Sequence, residues 1–240
     1  MTAKVIPFNP LDKKNLGASV AEALLTKEVH PLGELQQFEG AGIYAIYYTG
    51  DFEPYAQVSR LNINGQFMLP IYVGKAIPKG GRKGGISADS LAGKPLLDRL
   101  GQHASSIDQA TNLSIADFAV RHLVVDDIWI PLGENMLIET YKPVWNRALD
   151  GFGNKDPGRR RATQYKSPWD VLHPGRRFAE KLADSGLSEE FLAERVDDYL
   201  NNRPMKRLPR VVEEQQAEEQ GEAEQGADDG LRHLGTTDHI

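Results

Sequence analysis

A chain of 240 residues, 40% of them hydrophobic, is long enough to bury a substantial core in one large domain or two small ones. It has no cysteine, which excludes disulfides, thiol nucleophiles and thiolate zinc sites, and no apolar run near the ~18 residues that a membrane helix requires. The net charge of −6 misplaces the acidity: residues 211–240 hold nine Asp/Glu against one Arg, and the rest keeps 27 of the 28 basic and 25 of the 34 acidic residues, a net of +2.

That Gln/Glu/Gly-rich tail has too little apolar content to offset ordering entropy and is expected to be disordered, so the overall charge does not argue against a DNA-binding body. The opening MTAKVIPFNPLDKKN lacks the apolar core of a secretion signal, and a soluble cytoplasmic protein is expected. Residues 12–29 place Leu16, Val20, Ala23 and Leu24 at helical spacing and predict a peripheral N-terminal helix. Gly42–Thr49 mixes small, β-branched and aromatic residues and reads as a first strand. Residues 51–60 read as a short helix, with Asp51 as candidate cap and Pro54 in its first turn. A second strand spans Leu69–Gly74, with Pro70 at its start, where a missing donor costs least, and pairs with the first through a long hairpin.

Residues 77–95 form a basic loop with five glycines. A helix follows Pro95, since Leu96, Leu97, Leu100, His103 and Ala104 share a broad face. Ile115–Val125 is a third strand by alternation, and Pro131–Tyr141 a second core helix stopped before Pro143. Residues 150–168 are a glycine- and arginine-rich loop, and 174–200 hold one or two further helices. Three strands need a layer of helices to bury their apolar side, which gives an α/β core. Four segments are expected: an N-terminal extension (1–40), the core (41–150), a helical extension (151–210) and the acidic tail (211–240).

The chemistry-bearing residues suit phosphodiester hydrolysis with one bound metal. Gly42-Ile43-Tyr44 and Tyr72-Val73-Gly74 each set a tyrosine within two residues of a glycine on a strand. Tyr44 is the candidate general base, acting as a deprotonated phenol with His103 oriented toward its hydroxyl, and Tyr72 positions the scissile phosphate or the water. A phenol is a poor base unless a nearby cation lowers its pKa, and Lys75 is a candidate for that role. Arg99 and His103 stand at i and i+4, so both project from one helix face, and a guanidinium offers a fork to phosphate oxygens. Glu139, just after Met136, Leu137 and Ile138, is the candidate metal ligand; Glu134 is the competing acid, read as a surface or capping residue. One carboxylate completed by phosphate oxygens and waters is a normal shell for Mg²⁺. Asn146 is a candidate for holding a phosphate or bracing the metal site.

With these residues in place, the chain resembles the GIY-YIG nuclease superfamily over about 42–146. Its motif glycines and tyrosines match, with Val73 in place of isoleucine; Arg99, Glu139 and Asn146 match the family's arginine, metal-binding glutamate and late asparagine. His103, one turn after the arginine, is typical of the restriction-enzyme branch. SPWDVLHPGRRFAEKL at 167–182 resembles the tail of a type II restriction endonuclease family. The resemblance implies a small core with a three-stranded antiparallel-type sheet flanked by helices. It also implies a Mg²⁺-dependent homodimer that cuts double-stranded DNA at CCGCGG, with no organic cofactor and no membrane partner.

Lys79, Arg82 and Lys83 in the first basic loop and Arg159, Arg160 and Arg161 in the second are candidate DNA contacts, suited to neutralising phosphates or reading guanine edges. His173, Arg176 and Arg177 are left between DNA contact and dimer contact. The alternatives are a homing or repair nuclease on the same core, and a non-catalytic DNA-binding regulatory protein.

Overall fold

The computed structural model describes residues 8–77, 93–156 and 164–218. Its centre is an antiparallel sheet of order β1-β4-β2-β3, formed by β1 (His30–Pro31), β2 (Gly42–Tyr48), β3 (Tyr72–Ala76) and β4 (Phe118–Val124). The sheet therefore has four strands rather than the expected three. Two residues carry no readable alternation, and Pro31 has no N–H with which to extend the ladder, so β1 leaves no trace in sequence. The second strand begins at Tyr72, later than expected, because Leu69 bonds to the side chain of Asn62 instead of a strand partner.

β2 is one of the two inner strands, and all seven of its residues are buried. Its alternation sends Ile43, Ala45 and Tyr47 to one face, where α1 (Lys13–Leu25) and α4 (Ile130–Tyr141) cover them with Ala21, Leu24, Ile130 and Leu137. Hence α1, expected to be peripheral, is one wall of the core. Its start is set by Asp12, whose carboxylate accepts from the Lys14 N–H at 3.1 Å.

Tyr44, Ile46 and Tyr48 face the other way, onto α3 (Pro95–Gln109), which supplies Leu96, Leu100 and Ile107. Pro95 opens α3 at a position that needs no N–H partner. The short α2 (Ala56–Arg60) follows a 3₁₀ turn over Glu53–Tyr55; Asp51 does not cap it, and the Phe52 N–H instead bonds the Tyr48 hydroxyl at 2.8 Å.

The C-terminal extension closes the same core. Behind α5 (Val144–Arg147), α6 (Pro168–Leu172) and α7 (Glu189–Leu200) bring Trp169, Leu172, Leu192 and Val196 against Trp145 and Phe152. Residues 210–218 are helical, although a disordered tail is expected from 211 onward, with Val212 buried and the Gln215 amide bonded to the Tyr165 backbone. Among the described residues no helix is long and apolar enough to cross a membrane.

Candidate active site

Tyr44 and His103 meet in the core. The phenol oxygen lies 2.6 Å from His103 Nε2, and the two side chains are 0% and 1% exposed. The sheet register explains why a glycine stands in the YVG triplet. Tyr44 pairs with Gly74, and a Cβ at Gly74 would sit 2.4 Å from the Tyr44 oxygen, so the phenol crosses β3 where no side chain exists. The GIY glycine has a separate steric cause: a Cβ at Gly42 would fall 1.9 Å from the Leu123 carbonyl oxygen of β4.

Burial pushes the Tyr44 phenol well above its ordinary pKa; Tyr72 adds to the rise and Arg99 acts against it. Burial drives His103 well below the ordinary imidazole range, reinforced by the charges of Arg99, Arg176 and Lys155. Both partners are therefore uncharged at neutral pH. At rest the Tyr44 phenol therefore keeps its proton, because the cation near it is too weak to offset the loss of water.

Tyr72 is half-buried, with its ring centroid 6.2 Å from Tyr44 and 5.2 Å from His103. Its pKa is raised by burial and lowered by Arg99. The guanidinium donates to the Gly153 carbonyl at 2.8 Å and to Gln102 Oε1 at 3.2 Å. A Cβ on Gly153 would lie 3.0 Å from the Tyr72 hydroxyl and 3.2 Å from Arg99 Nη2, which places that hydroxyl beside the guanidinium. Phe152 stacks on the His103 ring at 4.4 Å. Arg99 and His103 also line a cleft of about 920 Å³ with Lys94, Gln102 and Lys155.

The carboxylate that joins this group is Glu134 of α4. It acts electrostatically on Tyr44 and Tyr72, bonds Lys75 at 2.7 Å, and its side chain is only 13% exposed. Burial raises its pKa, against Lys75 and then Arg99. Glu139 is elsewhere: its side chain is 69% exposed and paired with Arg147. The different placement of Glu134 and Glu139 follows from helical phase. Ile130, Gly133 and Leu137 mark the buried stripe of α4, Glu134 stands four residues after Ile130 on that stripe, and Glu139 falls off it.

Two further expectations change. Lys75 is opposite Ile43 in the register, on the α4 side of β3, and its ammonium is held by Glu134; the cation acting on both phenols is Arg99. Asn146 spends its amide on the backbone, accepting from the Val73 N–H at 2.8 Å and donating to the Val73 carbonyl at 2.9 Å. It braces the strand that carries Tyr72 instead of reaching into the cleft. The site thus assembles around β3: one helix layer contributes Arg99 and His103, the other Glu134, and the strand between them Tyr72.

Residues 36–200 match the family profile described as the Eco29kI GIY-YIG domain. The chain belongs to that family. It is a GIY-YIG nuclease of the restriction-endonuclease type, acting on DNA. No curated protein matches it. The Eco29kI-type match runs through α7, beyond the last residue of the cluster, so the extension that closes the core is part of the family's domain.

Lys79, Arg82, Lys83, Arg159, Arg160 and Arg161 lie outside the described residues. His173 and Arg176 are buried and cannot be surface contacts. His173 accepts from or donates to Tyr55 at 2.6 Å and bonds Asn112 at 2.9 Å, while Trp145 Nε1 donates to the same Tyr55 oxygen at 2.9 Å. Sequence reasoning missed Phe152 and Gly153, which touch the cluster only through tertiary folding; no local signal marks them.

Proposed function

We propose that this chain is a Mg²⁺-dependent type II restriction endonuclease that cuts a GC-rich palindrome, CCGCGG, as a homodimer on double-stranded DNA in the cytoplasm. The carrying observation is the buried Tyr44–His103 pair set beside Tyr72, Arg99 and Glu134 at the edge of β3. One such site hydrolyses one strand, so a two-fold symmetric pair fits a palindrome.

The residues fit magnesium. Among the described residues no cluster of three carboxylate or imidazole ligands exists, so a zinc-type cage is not built. A single hard oxygen donor, Glu134, suits an ion that keeps its waters and takes phosphate oxygens. When bound there, the ion polarises the phosphate and stabilises the leaving oxygen.

The chain's own groups move the proton. Water attacks phosphorus and the bond to O3′ breaks; O3′ takes a proton from solvent water, leaving a 5′-phosphate and a 3′-hydroxyl. Tyr44 takes a proton from the water while passing its own to His103 Nε2, in the tautomer with that nitrogen free. The relay starts from two neutral groups and needs no phenolate, in keeping with the directions of both pKa shifts. The lowered His103 pKa means that the imidazole holds the proton only briefly and gives it up once water has attacked. Arg99 offers its fork to the non-bridging oxygens, and the adjacent Tyr72 hydroxyl orients the phosphate. Lys79, Arg82, Lys83, Arg159, Arg160 and Arg161 contact the DNA in this reading; Lys94 and Lys155, near the described ends of the two basic segments, line the cleft that holds Arg99.

Glu134→Gln and Glu139→Gln separate the two carboxylates. On duplex DNA containing CCGCGG with Mg²⁺, the first should lose cleavage and keep binding, and the second should cut as the wild type does. Normal turnover by Glu134→Gln would overturn the ligand assignment. Intact DNA with the wild-type protein across divalent metals and salt would overturn the nuclease reading.

A further inference from the structure

Arg176 and Arg177 are neighbours with opposite fates: Arg177 is exposed, and Arg176 is 1% exposed. Arg176 Nε donates to Asp170 Oδ1 at 2.6 Å, and its two terminal nitrogens reach backbone carbonyls of one loop, Gly151 at 2.9 Å, Phe152 at 3.1 Å and Asn154 at 3.4 Å. The guanidinium lies between the rings of Trp169 and Phe178, 4.5 and 4.8 Å from their centroids. Asp170 is fixed in turn by the Ser167 hydroxyl, which donates to its other oxygen at 2.7 Å. Its three backbone contacts all fall on loop 151–154.

That loop touches the reactive cluster twice. Phe152 stacks on the His103 ring, and the Gly153 carbonyl accepts from Arg99 at 2.8 Å. We propose that Arg176 is a positioning residue of the active site, which sets the His103 imidazole and the Arg99 guanidinium by clamping the loop that touches both. Three converging carbonyls call for a flat, forked donor, and a lysine has one nitrogen where the arginine has two. The fork also explains why a charge is buried here at all: the loop has no strand or helix to satisfy its carbonyls, and Arg176 does it from outside the segment. The effect on rate rests on the nuclease reading, whereas the effect on the loop rests on geometry alone.

Removing the guanidinium by itself leaves the Asp170 carboxylate buried without its cation, so the test uses Arg176→Lys and the double variant Arg176→Met/Asp170→Asn, which removes both charges together. Three readouts are taken on the full chain: thermal unfolding, cleavage kcat and KM on target DNA with Mg²⁺, and the NMR ring-proton resonances of His103. With its ring stacked on the imidazole at 4.4 Å, Phe152 should displace those resonances upfield in the wild type. The expected result is a folded protein in which that displacement is lost and kcat falls on the order of 100-fold, with KM unchanged. Arg176→Lys should fall between the two. Unmoved His103 resonances, or a raised KM at unchanged kcat, in a folded variant would overturn the proposal. Absence of cleavage by the wild type would sink the nuclease reading and leave the His103 resonances to decide the clamp.

Discussion

Replacing Gly74 with alanine tests whether the glycine of the YVG triplet exists to let the Tyr44 phenol pass. The added carbon would fall 2.4 Å from the phenol oxygen and 2.6 Å from Cζ. Comfortable contacts between such atoms are about 3.5 Å, so about 1 Å of movement is required. Tyr44 cannot supply it, because its ring is fully buried and its oxygen is held 2.6 Å from His103. β3 is the softer partner, an edge strand paired only with β2 in the sheet, and its displacement carries Tyr72 along. Overpacking of this kind costs about 1–3 kcal/mol. At about 2–4 °C per kcal/mol for a chain of this size, the melting temperature falls by several degrees while the protein stays folded. A misplacement of about 1 Å in a reacting array lowers rate on the order of 100-fold. Single-turnover cleavage of a plasmid carrying the target, beside a thermal melt and a DNA-binding isotherm, measures both effects. A folded Gly74→Ala protein that cuts at the wild-type rate would refute the reasoning.

Gly101 is the opposite case: it lies within α3, and nothing stands within 4 Å of an added Cβ. Gly101→Ala should therefore stabilise the protein by about 0.5–1 kcal/mol, seen as a raised denaturant midpoint, and a lowered midpoint would contradict the open environment. Acid should destabilise the fold through His173, whose pKa burial lowers from 6.5 to about 3, with Arg176 adding to the effect. The unfolded chain takes up this proton first as pH falls, so the stability is complete above pH 6.5 and is lost progressively down to pH 3. The loss approaches about 5 kcal/mol for this one group, and His103 acts in the same direction. Denaturant melts at stepped pH check it: His173→Gln should flatten the slope, and a wild-type slope of zero between pH 6 and pH 4 would refute the assignment.

Much of this site is legible in the amino-acid sequence wherever one element carries the whole signal. The two triplets set Tyr44 and Tyr72 on strands, and the i, i+4 spacing of Arg99 and His103 sets both on one face of one helix. The carboxylate goes astray because the apolar run before Glu139 imitates a sign of burial. The stripe of Ile130, Gly133 and Leu137 instead sets Glu134 beside the cluster, and that phase is present in the sequence. Other features are not. Asn146 becomes a strand brace only because β3 lies at the sheet edge, a fact of topology. Arg176 sits in a basic stretch that suggests DNA, and only the convergence of three distant carbonyls buries it. β1 is too short for any period to show.

The brace on β3 has a consequence for how two copies can join. An outer strand normally offers its free N–H and C=O groups to any neighbour that can zip onto it. Here the Trp145 N–H occupies the Ile71 carbonyl and the Asn146 amide occupies both groups of Val73. At the opposite margin Pro31 has no hydrogen to give. These backbone groups are thereby withheld from an intermolecular sheet at both margins. In the proposed homodimer, two copies on opposite strands of a duplex would then meet at these strands through side-chain surfaces, whose complementarity, unlike backbone pairing, can be specific to a single partner and a single spacing.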